Sequence, residues 1–238
     1  MAFLAHSAFS TLYATVLDIF FPPRCVGCRE VGTLFCDECR SQIVLVEPPF
    51  CHRCGGSLEG ATSRLCPRCR TTPHRIERIR SVAYSEGVLR EAIHAFKYQG
   101  ITALAGPLAD LMADHWAGDP RSVDVVIPVP LHKSRLRARG FNQAACLARE
   151  LSRRVGLTVD EGVLVRHRAT AAQVELNADQ RKENVREAFR CVNRGAADKH
   201  LLLIDDVCTT GSTLEACAAA LLDGGARSVQ ALTLARAR

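Results

Sequence analysis

Aromatic residues are scarce in this 238-residue chain: nine Phe, three Tyr and one Trp make up 5% of it. So few rings leave little material for a dedicated base-stacking platform. A membrane span is not expected either. The apolar segment Met1 to Phe21 is interrupted by Asp18, has no basic start and stops at Pro22-Pro23, which also argues against an export signal. Phe3, Leu4, Phe9, Leu12, Val16 and Phe20 instead suggest an amphipathic packing helix over residues 1–24. Charge of one sign does not dominate, with 31 Lys and Arg against 25 Asp and Glu for a net +6. With 47% hydrophobic and 24% charged residues, the chain is expected to fold as one medium α/β domain with a small appendage.

Cysteine, by contrast, is plentiful. Eight of the twelve fall in four Cys-x2-Cys pairs: Cys25 and Cys28, Cys36 and Cys39, Cys51 and Cys54, Cys66 and Cys69. Two thiolates on one tight turn supply two corners of a tetrahedron and a second pair closes it, so four pairs suit two structural Zn²⁺ ions. Sequential and crossed pairings are both open. A disulfide framework is the alternative, but it requires an exported chain, whereas zinc thiolates fit a reducing compartment and a cytoplasmic location. Eight thiolates against two Zn²⁺ add a net minus four, lowering the formal charge from +6 to +2. Cys146, Cys191, Cys208 and Cys217 are isolated and read as small core residues.

The most informative segment is Leu201 to Thr213. Leu201, Leu202, Leu203 and Ile204 form a buried parallel-strand run that leads into Asp205 and Asp206. Leu214, Cys217, Ala218, Leu221 and Leu222 then recur at helical spacing until Gly224-Gly225. Between strand and helix, Thr209, Thr210, Gly211, Ser212 and Thr213 offer hydroxyls and backbone N–H groups to a phosphate at the positive end of the helix. The spacing matches neither the triphosphate loop nor the dinucleotide fingerprint. Adjacent carboxylates suit the vicinal hydroxyls of a ribose, so the segment fits a sugar phosphate; binding Mg²⁺ or capping the helix is the plainer role for the pair.

A second strand-loop unit begins at Val123 and runs to Pro130. Lys133, Arg135, Arg137 and Arg139 follow closely, which predicts a cationic loop before a helix opens at Gly140-Phe141-Asn142-Gln143. Ile79 to Tyr84 alternates as a strand, and Gly87 to Tyr98 and Ile101 to Trp116 read as helices. Lys97 reads as an exposed residue at a helix end. Polar, basic residues 70 to 80 suggest a hinge near residue 75, dividing a zinc module over 25–75 from a larger domain over 76–238.

The Asp-Asp-Val-x-Thr-Thr-Gly-Ser-Thr segment resembles the 5-phosphoribosyl 1-pyrophosphate (PRPP) loop of type I phosphoribosyltransferases. Adding Ile127-Pro-Val-Pro-Leu-His132, Arg139-Gly-Phe-Asn-Gln143, Gln173, Leu176, Arg181, Asn184 and the cysteine pairs, nearly the whole chain resembles the ComF family. That likeness implies a parallel Rossmann-type sheet flanked by helices, with an N-terminal double zinc ribbon. It implies that Asp205 and Asp206 hold the ribose hydroxyls as the catalytic pair, that Thr209 to Thr213 hold the 5-phosphate, and that Arg135, Arg137 and Arg139 hold pyrophosphate. Arg166, Gln173, Arg181 and Asn184 fall in a segment with the composition of a lid over the phosphates; a surface helix paired to Glu175, Glu183 and Glu187 is the alternative. Mg²⁺ would accompany PRPP, and the competence role of some relatives implies contact with single-stranded DNA; a protein partner at the zinc ribbon is also open. Several transferases of this class carry a catalytic carboxylate where this chain has Thr209. That departure keeps two functions open: a phosphoribosyltransferase, or a PRPP or phosphate sensor that binds nucleic acid or protein.

Overall fold

The computed structural model describes residues 22–60, 62–118, 122–168 and 188–238. In chain order the described elements are α1 (Asp37–Ser41), α2 (Pro67–Thr71), β1 (Arg78–Tyr84), α3 (Gly87–Tyr98), α4 (Ala105–Gly118), β2 (Val125–Pro128) and α5 (Lys133–Arg139). They continue with α6 (Gln143–Val155), β3 (Thr158–Val159), β4 (Leu164–Arg166), β5 (Phe189–Cys191), β6 (His200–Cys208), α7 (Ser212–Asp223) and β7 (Ser228–Arg236). The apolar segment Met1 to Phe21 lies outside the described residues.

Five strands form a parallel sheet in the order β1-β7-β6-β2-β3. The apolar run of β6 is buried on both faces because side chains alternate along a strand. Leu202 and Ile204 enter one core with Phe96, Leu147 and Leu151, while Leu201 and Leu203 enter another with Leu214, Cys217 and Leu221. At about 1.5–3 kcal/mol for each large apolar side chain fully buried, this two-sided packing makes β6 the anchor of the sheet.

Connectivity places the site. From β2 the chain crosses to β3 through α5 and α6, with α6 packed on the first face. From β6 it crosses in the opposite direction to β7 through α7, on the second face. The two crossovers diverge at the C-terminal ends of β2 and β6, and such a divergence opens a crevice in α/β sheets. A separate antiparallel pair, β4 with β5, stands beside α7, where a Cβ on Gly224 would meet the Cys191 side chain.

Three differences from the sequence expectations have local causes. The strand begun at Leu201 does not end at the carboxylates but continues through them to Cys208, because β7 keeps pairing with Asp205, Val207 and Cys208. The residues expected to form a cationic loop are the helix α5, capped by His132 Nδ1, which accepts from the Ser134 N–H, and closed by left-handed Gly140. The segment near residue 75 is tied down: the Arg75 N–H donates to Glu215, its guanidinium reaches Asp223 at 2.6 Å, and the Glu77 N–H donates to the Val229 carbonyl.

Candidate functional site

Asp205 and Asp206 sit next to each other on β6, so the strand's two-residue period sends their side chains to opposite faces. Asp206 is 3% exposed and its Oδ2 lies 2.9 Å from Lys97 Nζ at the end of α3. The ion pair explains how a carboxylate can be buried there, since an unpaired charge would carry a large desolvation penalty. Lys97 is therefore a residue that sequence reasoning passed over as an exposed helix end. Among the described residues Asp205 has no such close ion-pair partner. Its Oδ1 accepts from the Asp206 N–H at 2.9 Å, but burial and then the Asp206 charge push its carboxyl up to about 8, against weaker relief from Lys97 and Arg166. Asp205 is thus poised to gain or lose a proton near neutral pH.

Beyond Cys208 the chain turns through exposed Thr209 and Thr210 to Gly211, which adopts φ +78° at the N-cap of α7. Glycine is suited here twice over, because left-handed backbone disfavours other residues and a Cβ would come within 3.1 Å of Ile79 Cδ1. Thr210 and Ser212 join hydroxyls at 2.8 Å, and the Ser212 N–H donates to Thr210 Oγ1 at 3.4 Å. Ser212 and Thr213 form the first turn of α7, so the five residues make a compact turn over the positive end of a twelve-residue helix.

The arginines divide. On a helix, residues four apart share a face and residues two apart do not. Arg135 and Arg139 therefore face one way, and Lys133 and Arg137 the other. Arg139 donates to Gln143 and stacks over the Tyr98 ring at 5.4 Å, beside Lys97. Arg135 lies close enough to Arg166 that its charge, after burial, lowers the Arg166 pKa. Arg166 sits on β4 with its guanidinium 5.3 Å over the Phe189 ring, and it acts electrostatically on Asp205. Lys97 and Arg166 thus act on the carboxylate pair directly, Arg135 stands beside Arg166 and Arg139 beside Tyr98, while Arg137 falls on the opposite face of α5. Gln173, Arg181 and Asn184 lie outside the described residues.

The cysteines collect in sequential sets. In Cys25, Cys28, Cys36 and Cys39, and again in Cys51, Cys54, Cys66 and Cys69, the four sulfurs all lie within 4.8 Å of one another. A tetrahedral ion with Zn–S of about 2.3 Å requires sulfurs about 3.8 Å apart. Cys28 and Cys36 lie at 3.5 Å and Cys54 and Cys66 at 3.8 Å, so the residues fit the ion. Backbone N–H groups point at the sulfurs: Cys36 N–H to Cys25 Sγ and Cys66 N–H to Cys51 Sγ. Burial opposes ionisation of Cys25, but N–H groups of Cys36, Cys28 and Gly27 outweigh it and bring the thiol to about 6. The two sites differ in setting. Cys25, Cys36 and Cys39 belong to the main core with Leu89 and Phe96, whereas among the described residues Cys51 and Cys69 form a small separate cluster with Leu58 and the partly buried Leu65.

Comparison with known proteins agrees with this geometry. Residues 16–70 match the double zinc ribbon domain and residues 99–238 the phosphoribosyl transferase domain. DNA utilization protein YhgH of Shigella flexneri is 35% identical over 90% of this chain and 97% of its own length. Competence protein F of Haemophilus influenzae is 30% identical over 92% of this chain and 99% of its own. The chain belongs to the ComF family. This ComF chain also superposes with a TM-score of 0.40 on the glutamine PRPP amidotransferase of B. subtilis, at 18% identity over 55% of the chain and 26% of that structure. Its two domain matches make the ComF chain a phosphoribosyltransferase-fold protein with a double zinc ribbon, whose two four-cysteine clusters fit one Zn²⁺ each. Among its described residues no helix is long and apolar enough to cross a membrane.

Proposed function

We propose that this ComF chain binds PRPP with Mg²⁺ in the crevice at the ends of β2 and β6 and transfers its phosphoribosyl group to an acceptor. The observation that carries the reading is the Asp205-Asp206 pair, backed by Lys97 and followed at once by the Thr209 to Thr213 turn. Asp205 and Asp206 accept the ribose 2- and 3-hydroxyls, the turn takes the 5-phosphate, and Arg135, Arg139 and Arg166 face the pyrophosphate. Bound Mg²⁺, a hard cation suited to carboxylate and phosphate oxygens, neutralises charge on the diphosphate. As the C1–O bond breaks, its electron pair leaves with pyrophosphate, the acceptor's lone pair forms the new bond to C1, and the acceptor's proton passes to water or to the released pyrophosphate. Cations facing the diphosphate stabilise the further negative charge that develops on its leaving oxygen more than they stabilise the ground state, which is how such a site accelerates the step. We assign the zinc module to 25–75 and the transferase-fold domain to 76–238, in a cytoplasmic protein.

Thr209 supports the second reading, a PRPP sensor, since it offers no carboxylate to deprotonate an acceptor. Pyrophosphate release separates the two. A transferase liberates pyrophosphate from PRPP on addition of the right nucleobase or single-stranded DNA acceptor; a sensor binds PRPP and releases none with any of them.

The names of the relatives bring DNA into the same proposal. Near the second cysteine site a groove of about 370 Å³ is lined by Pro48, Pro49, Phe50, His52 and Arg64, and the Arg80 guanidinium stacks over Phe50 at 4.8 Å. One ring and a few cations suit loose contact with a phosphate backbone rather than reading of base edges. Oligo(dT) is expected to bind weakly and with a steep salt dependence, and Phe50→Ala to weaken it by about 1–3 kcal/mol. Excess PRPP should leave this binding unchanged, because the groove lies on the ribbon; competition by PRPP in a fluorescence-anisotropy titration would place the DNA at the crevice instead.

A further inference from the structure

The second cysteine site touches the phosphate turn through one side chain. Arg68 lies on α2 between Cys66 and Cys69, and its Nη1 donates to the Thr210 carbonyl at 3.0 Å. Both flanking cysteines belong to the cluster, so the cluster fixes the base from which Arg68 reaches. The rest of the knuckle is fastened to the strand ends around the turn. Ile79 N–H donates to the Arg53 carbonyl at 2.7 Å, Arg80 Nη1 to the His52 carbonyl at 3.1 Å, and Arg236 Nη1 to the Cys54 carbonyl at 2.9 Å. Packing is close along the same line: a Cβ on Gly55 would lie 2.7 Å from the Ile79 carbonyl oxygen, and Ile79 in turn bounds Gly211.

The Thr210 carbonyl shares a rigid, trans peptide plane with the Gly211 N–H, so the two point in opposite directions. Holding the carbonyl towards the ribbon turns that N–H the other way, towards the cradle; released, the plane can rotate and present its oxygen to the anion. Residues 209–213 contain no Lys or Arg, so a cation at this turn has to come from another part of the chain.

We propose that Arg68 of the zinc ribbon is a positioning residue of the phosphate cradle, holding the Thr210-Gly211 peptide so that its N–H faces a sugar phosphate bound there. The inference rests on reading the turn as a 5-phosphate site, and it makes the second cysteine cluster a support for ligand binding. The test uses the full-length zinc-loaded protein and two readouts, ribose 5-phosphate affinity and amide hydrogen exchange of residues 209–213 without ligand. Arg68→Ala should weaken ribose 5-phosphate by about tenfold or more and speed exchange in the turn, with zinc content unchanged at two ions. Arg68→Lys, which keeps a cationic donor, should recover part of both. Wild-type affinity in Arg68→Ala would overturn the proposal, as would unchanged exchange in the turn. Should the wild-type protein itself fail to bind ribose 5-phosphate, the phosphate reading of the turn falls, and with it the ligand role of Arg68, while the exchange data still decide whether Arg68 orders the turn.

Discussion

Cys39→Ser is expected to lower the melting temperature of the whole protein by more than about 10 °C and to remove one zinc of two, whereas Cys69→Ser should release the other zinc with a more local loss. Structural zinc sites contribute on the order of 10 kcal/mol in isolated zinc-finger peptides, and part of that is carried into any fold that contains one. The two sites divide because of where they are buried. Cys25, Cys36 and Cys39 share a core with Val82, Leu89, Phe96 and Leu147, so losing the first ion leaves unpaired thiols and a packing defect inside the α/β layer. Cys51 and Cys69 cluster with Leu58 alone among fully buried apolar residues, so their loss should speed hydrogen exchange over residues 51–71 while β6 and α6 stay protected. Calorimetric melting with zinc quantification checks both; equal effects from the two variants would contradict this division.

The second large effect concerns the carboxylates, whose removal should act in opposite directions. Asp206→Asn leaves the Lys97 ammonium, 17% exposed, without its anion. Breaking such a pair typically costs about 3–5 kcal/mol, a loss on the order of 10 °C for a chain of this size. Asp205→Asn removes a carboxyl that folding holds above its ordinary value of 3.8, at about 8. The folded protein then binds more protons than the unfolded chain between those values, so in wild type stability falls as pH rises from 3.8 through about 8. Asp205→Asn should escape that fall. Its melting temperature should equal or exceed wild type by a margin that widens from pH 5 to pH 8, as read by thermal unfolding across pH. Both variants should lose PRPP binding, so Asp205→Asn separates ligand recognition from stability.

The β6 to α7 unit was legible in the sequence for physical reasons. Four consecutive apolar residues mark a strand buried on both faces, and Gly224-Gly225 marks where the following helix stops. Helix α3 was equally plain, its apolar residues falling at one spacing between Gly87 and Tyr98. The helix α5 was missed although its signals were present: Lys, Arg, Leu and Ala favour helix, and Gly140 stands where a left-handed residue ends it. Charge density suggested a loop and backbone propensity made a helix, which turns Arg137 away from the face that Arg135 and Arg139 share. Lys97 on Asp206 and Arg68 on Thr210 were not legible, since each joins residues more than a hundred positions apart and depends on how α3 and the ribbon dock. The same holds for the first cysteine site, where spacing announces a metal but only packing of Phe35, Val26 and Leu89 shows that it is part of the main core.

The central claim, that the Asp205-Asp206 crevice is a PRPP site, is tested most directly by titrating the protein with PRPP and Mg²⁺ at pH 7 in an isothermal calorimeter, in two buffers of different ionisation enthalpy. Asp205, with its carboxyl raised to about 8 in the free protein, must ionise to share with Asp206 the hydrogen bonds donated by the ribose hydroxyls. The account predicts saturable binding below millimolar ligand accompanied by proton release, with Asp205→Asn abolishing the heat. Absence of binding at millimolar PRPP, or equally tight binding by Asp205→Asn, would contradict it.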